Sequence, residues 1–187
     1  MKKLILLVVL MTSLFTTAQA QFERTLLGDL DLTGAWGGIT YNYTNFGEDW
    51  ALVRGGYGGV EFGNTFFLGY GGWRTKDEVR TQDTREEFEL RHGGFILAYT
   101  PASYRAIHPR ASFIFGPGRV KSPESGERDR VFVLQPSAGV ELNIFQAMRL
   151  GIEGGYRAVG NVNLGDIRSE DVSGFFLQIE MRFGFSW

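Results

Sequence analysis

Few residues in this chain could do acid–base or nucleophilic chemistry. Its 187 residues include two histidines and no cysteine. His108 precedes Ser112 by four positions, and His92 stands beside Gly93-Gly94. Both histidines are expected as interface or turn residues. Asp166, Glu170 and Asp171 cluster in sequence, but their spacing is not that of a calcium loop. They read as part of a solvated charged loop. The glycine pairs Gly55-Gly56, Gly58-Gly59 and Gly71-Gly72 lead into no helix, so they are not phosphate cradles. They are expected to let strands bend and side chains pack. No catalytic, cofactor or metal site is assigned. What remains is charge pairing. Glu141, Arg149, Glu153, Arg157, Glu180 and Arg182 fall at alternating positions late in the chain. If those positions share an enclosed face, three acids and three guanidinium groups should pair there. Losing one partner would leave the other uncompensated.

The element that positions the last of these charges is the segment 175–187. Phe175, Leu177, Ile179, Met181, Phe183, Phe185 and Trp187 alternate with Phe176, Gln178, Glu180, Arg182, Gly184 and Ser186. Period two means a β-strand with unlike faces. Its 13 residues, at roughly 3.3 Å each and tilted about 45°, rise about 30 Å, the thickness of a bilayer's hydrocarbon core.

Seven further strands are predicted over about 30–43, 50–62, 65–74, 87–99, 110–120, 130–145 and 148–159. Ile39, Tyr41 and Tyr43 share a face of the first, opposite Thr40, Asn42 and Thr44, with a bulge expected at Gly37-Gly38. In the second, Trp50, Leu52, Val60 and Phe62 face one way, and Tyr57 and Glu61 the other. Arg54 then sits among the apolar residues, so either Gly55-Gly56 shifts the phase or Arg54 snorkels. The fourth and fifth strands have the less polar interior, with Phe95, Leu97 and Ile114 assigned to it. Pro136 in the sixth strand is read as a bulge. The connection 100–109 places His108 in a turn. Connections after strands two, four and six are shorter; those after three, five and seven are long and charged.

The fold class is therefore all-β, an eight-stranded antiparallel up-and-down transmembrane β-barrel. A soluble barrel also alternates, but turns its apolar face inward. Mixed charges on the polar faces of neighbouring strands favour the membrane form. So do the nearly charge-free apolar faces of the last three strands, since one Arg or Lys at mid-bilayer costs about 2–4 kcal/mol. Aromatics near strand ends (Tyr43, Trp50, Phe62, Phe88, Phe132, Phe145, Phe183, Phe185 and Trp187) suit interfacial girdles.

Lys2 and Lys3, the apolar run 4–10 and Ala18-Gln19-Ala20 form an export signal, with cleavage expected after Ala20. Residues 1–20 are the signal and 21–187 the barrel. Taking two lysines from 19 basic residues leaves 17 against 21 acids, a net charge of −4. Nothing calls for nucleic acid.

The closing alternation, with Phe183, Phe185 and Trp187, resembles the C-terminal assembly signal of outer-membrane barrels. The layout is similar to small eight-stranded outer-membrane proteins of the A and X kind. This resemblance implies the outer membrane of a Gram-negative bacterium, both termini periplasmic, and a monomer. It implies periplasmic chaperones, the barrel-assembly machinery, and outer-membrane lipid and lipopolysaccharide as partners. Three functions are compatible: a non-enzymatic barrel with a polar, largely plugged interior that displays charged loops, for envelope integrity or surface interaction; a narrow channel for small or hydrophobic molecules, resembling outer membrane protein W; and a lipid A-modifying enzyme. The last is least supported. Barrel palmitoyltransferases and deacylases rely on a histidine and a serine, and the deacylase-like His-x-Ser-Asn sequence is absent.

Overall fold

The computed structural model describes residues 31–47, 49–76, 79–80, 87–165 and 167–187, with only the backbone at Arg80. The predicted signal with Ala18 and Ala20, most of the loop 76–86 and Asp166 lie outside the described residues. The strands are β1 (Leu32–Phe46), β2 (Asp49–Phe62), β3 (Phe66–Thr75), β4 (Val79–Arg80), β5 (Glu87–Tyr99), β6 (Ile107–Lys121), β7 (Arg128–Phe145), β8 (Met148–Gly160) and β9 (Gly174–Ser186). A single-turn helix, α1 (Ser169–Val172), precedes β9. All pairings are antiparallel. β3 meets β5, and β1 meets β9, so eight long strands close into a barrel. β4 is a two-residue ribbon on the end of β5.

Alternation forms the strands and also decides what they face. Ile39, Tyr41 and Tyr43 of β1 and Leu177, Ile179 and Phe183 of β9 are exposed on the outer surface. Thr40, Asn42 and Thr44, and Phe176, Gln178, Glu180 and Arg182, are buried inside. Apolar outside and charged inside inverts the arrangement of a water-soluble protein. The seam between β1 and β9 runs in register from Gly34↔Ser186 to Thr44↔Phe176.

Several predicted local irregularities are absent. β1 keeps its phase through Gly37-Gly38; its register shift lies between Leu32 and Gly34. Pro136 makes no bulge. It faces outward opposite Phe113, and register with β8 is the same on both sides of it, from Leu134↔Ala158 to Ser137↔Gly155. A missing donor thus costs a ladder bond without displacing the strand. β2 also stays in register through Gly55-Gly56, so Arg54 stands on the outer face. β5 corrects two assignments. Phe95 and Leu97 point outward, whereas Phe88, assigned to the girdle, is 1% exposed inside the barrel. β6 begins earlier than expected, at Ile107, and takes in Pro109 on its outer face.

One rim carries the turn 63–65, the connection 100–106, the Gln146-Ala147 turn, and the start of β1 and end of β9. Gly63 and Asn64 both take left-handed backbone, φ 56° and 54°, which a tight hairpin turn requires. The other rim carries Gly47, β4, the loop 122–127 and the described residues of the segment 161–173 with α1.

Candidate functional site

The interior divides into two tiers. Toward the long-loop rim it is apolar. Phe46, Val53, Phe88, Leu90, Val120, Val131, Val133 and Val159 pack with Val79 of β4 and with Leu164, Ile167 and Val172 of the 161–173 segment. Phe46 and Phe88 meet edge to face, 5.5 Å apart. The charged connections were expected to be solvated throughout. Instead they drop isolated apolar side chains into the barrel mouth, while Glu170 and Asp171 lie on α1. This tier was not anticipated, because single apolar residues inside charged stretches carry no periodicity.

Toward the other rim the interior holds charges. Among the described residues, Glu61, Glu141, Glu153 and Glu180 are buried there with Arg110, Arg149 and Arg182; a fourth buried arginine, Arg157, lies nearer the apolar tier. Arg110 is central. Its Nε donates to Glu153 Oε1 at 2.8 Å, and its Nη atoms lie 3.6 Å from both Glu141 and Glu180. Arg182 Nη1 donates to Glu141 Oε2 at 2.7 Å, and Nε approaches Glu180 at 3.8 Å. Arg149 Nη1 joins Glu61 at 3.0 Å and Glu141 at 3.4 Å. Aromatic faces flank these cations. Arg149 lies 4.0 Å from the Trp36 ring centroid, and Arg182 5.0 Å from that of Phe67. Gly184 makes room for Trp36, since a Cβ there would come within 2.7 Å of the indole.

Five of the six expected network residues, Glu141, Arg149, Glu153, Glu180 and Arg182, meet in this tier. Arg157 is buried but does not join an acid. It donates to Gln135 Oε1 at 2.9 Å and Thr44 Oγ1 at 3.1 Å, and lies between the rings of Phe46 and Phe176. Glu61 was expected inside, but not as a partner of Arg149. Arg110 was missed because it stood at the expected start of a strand.

His108 is likewise no turn residue. It is buried in β6, with Nε2 3.1 Å from Glu141 Oε1 and Nδ1 2.9 Å from the Arg105 carbonyl. Ser112 shares Glu153 with Ser137, at 3.0 and 2.6 Å. The two hydroxyls and the carboxylate hold one another, so Ser112 and His108 serve different acids. His92 is also buried, stacked on Trp73 at 5.1 Å in the other half of the barrel.

A closed eight-stranded antiparallel wall with an apolar exterior and a charge-paired interior defines the small outer-membrane β-barrels, and this chain has that fold. No family model and no curated protein matches it. Solved structures do. Neisserial surface protein A superposes with a TM-score of 0.63 at 14% identity, over 82% of this chain and 97% of that one. The N-terminal β-barrel domain of Pseudomonas aeruginosa OprF gives 0.54 at 12%, over 81% and 97%. Outer membrane protein OprG of the same organism gives 0.50 at 9%, over 86% and 99%.

Proposed function

We propose that this protein is a non-enzymatic, monomeric integral barrel of the Gram-negative outer membrane. Both termini are periplasmic, the lumen is closed, and the long-loop rim is displayed at the cell surface. The observation that carries this reading is the interior. Among the described residues, four acids and four arginines balance inside a wall whose outward side chains are apolar over most of its height. An eight-stranded barrel is only wide enough for its own side chains or one small ligand. Here paired charges occupy one tier and packed apolar side chains the other. Short turns at the periplasmic rim and longer outer loops are the outer-membrane habit. Export and insertion would engage periplasmic chaperones and the barrel-assembly machinery.

Two experiments test it. In this cysteine-free chain, Ser125→Cys and Glu170→Cys should react with a membrane-impermeant maleimide on intact cells, and Gln146→Cys should not. The opposite labelling pattern would invert the topology. Purified protein in planar bilayers should give no steady current. Stable porin-like conductance would overturn the closed lumen. It would favour the second reading, a narrow passage for small apolar molecules, to which the apolar upper tier lends itself.

A further inference from the structure

The outer face has one feature that a purely lipid-facing wall should not have. Strand register aligns five outward arginines on five neighbouring strands. Arg54 of β2 pairs with Arg74 of β3, Arg74 with Arg91 of β5, Arg91 with Arg119 of β6, and Arg119 with Arg130 of β7. All five are exposed, and each lies within five residues of the long-loop end of its strand. One step nearer the loops, Lys121 stands opposite Arg128. By contrast, the outward faces of β1, β8 and β9 carry no charge.

Residues directly opposite on neighbouring strands have Cβ atoms about 4.5–5.5 Å apart, and like charges there repel. Among the described residues, an acid pairs with an arginine of the row at one place. Glu89 accepts from Arg91 at 2.8 Å. Among the described residues, Arg54, Arg74, Arg119 and Arg130 have no acidic partner. Anions drawn to such a row relieve that repulsion. Its position on a membrane-facing wall puts those anions on lipid headgroups. Guanidinium forks match phosphate oxygens two at a time.

Beside the row the wall is recessed. An open concavity of about 440 Å³ is bordered by Arg54, Arg74 and Arg91, with Ile39 and Tyr41 on its apolar side and Gly72 beneath. A Cβ on Gly72 would have its nearest neighbour at 3.8 Å, so the recess opens outward. Cations next to an apolar recess fit an amphiphile, with phosphate on the arginines and hydrocarbon below.

We propose that this flank is a binding site for the phosphorylated glucosamine headgroup of lipid A. The outer-leaflet lipid is favoured because the row belongs to the long-loop half of the barrel. This rests on the topology proposed above.

The test uses the full barrel folded in phosphatidylcholine nanodiscs, with binding followed by native mass spectrometry. Diphosphoryl lipid A should bind at least about tenfold more tightly than monophosphoryl lipid A or phosphatidylglycerol, and lose affinity as salt rises. The triple variant Arg74→Gln, Arg91→Gln, Arg119→Gln should lose about tenfold or more, and the corresponding lysine variant less. Gly72→Leu fills the recess without touching a charge, and should weaken binding severalfold. Heat-modifiable gel mobility checks that each variant is folded. Unchanged affinity in the folded glutamine variant overturns the site. If that variant does not fold, unchanged affinity in Gly72→Leu, or equal affinity of the wild type for diphosphoryl and monophosphoryl lipid A, overturns it. Equal affinity for phosphatidylglycerol overturns the choice of lipid A. Unreactive Ser125→Cys on intact cells would refute the topology alone, since binding in nanodiscs does not depend on orientation in the cell.

Discussion

Arg110→Met should cost the barrel about 3–5 kcal/mol, because it strips compensation from buried acids. Arg110 bonds Glu153 at 2.8 Å and lies 3.6 Å from both Glu141 and Glu180. Arg182→Ala should behave similarly, since Arg182 supports Glu141 and Glu180. Arg157→Met is the informative contrast. Its partners Gln135 and Thr44 are neutral, and methionine suits the space between Phe46 and Phe176. Its loss should cost no more than about 1–3 kcal/mol, the penalty of leaving neutral groups unbonded. Arg128→Ala, at an exposed strand end, should scarcely register. Urea unfolding, followed by the gel shift between folded and unfolded forms, measures all four. If Arg157→Met proves as damaging as Arg110→Met, the division into a paired tier and a neutral one is wrong.

The contrast also marks how far sequence could lead. Period-two alternation revealed β1, β8 and β9 because their two faces differ in kind at almost every step. Glycine pairs carry no side chain to report phase, so β2 was ambiguous at Gly55-Gly56. Phe95 and Leu97 share a face of β5 with Glu89 and Arg91, and a face that carries charges reads as the inner one in such a barrel, whereas here it is the outer one. Partner choice was less legible still. Arg149 meets Glu61 across 88 residues of chain, and only barrel closure brings β8 and β2 together. The same holds for Arg54, Arg74, Arg91, Arg119 and Arg130. Each reads as an ordinary basic residue in its own strand, and the row exists only in the register between strands. Val79, Leu164, Ile167 and Val172 were hidden because a plug needs only single apolar contacts.

Deleting Phe185-Ser186-Trp187 should abolish insertion altogether. Here two consequences coincide. The cut removes the seam pairs Gly34↔Ser186 and Ala35↔Phe185, the bond from the Trp187 amide to the Thr33 carbonyl at 2.8 Å, and that from the Ser186 hydroxyl to Glu61 at 3.1 Å. A barrel with an incomplete seam exposes unpaired backbone polar groups to lipid, where each costs several kcal/mol. It also removes Phe185 and Trp187, aromatic residues of the expected assembly signal. The truncated chain should be missing from outer-membrane fractions and show no folded band on unheated gels. Phe185→Ser with Trp187→Ser separates the causes, because the backbone seam survives and only the aromatic side chains are lost. Failure of that variant in cells, together with normal folding into detergent in vitro, would assign the defect to recognition. Failure in both settings would assign it to the barrel itself. Insertion of the truncated chain at wild-type levels would refute both roles for these three residues.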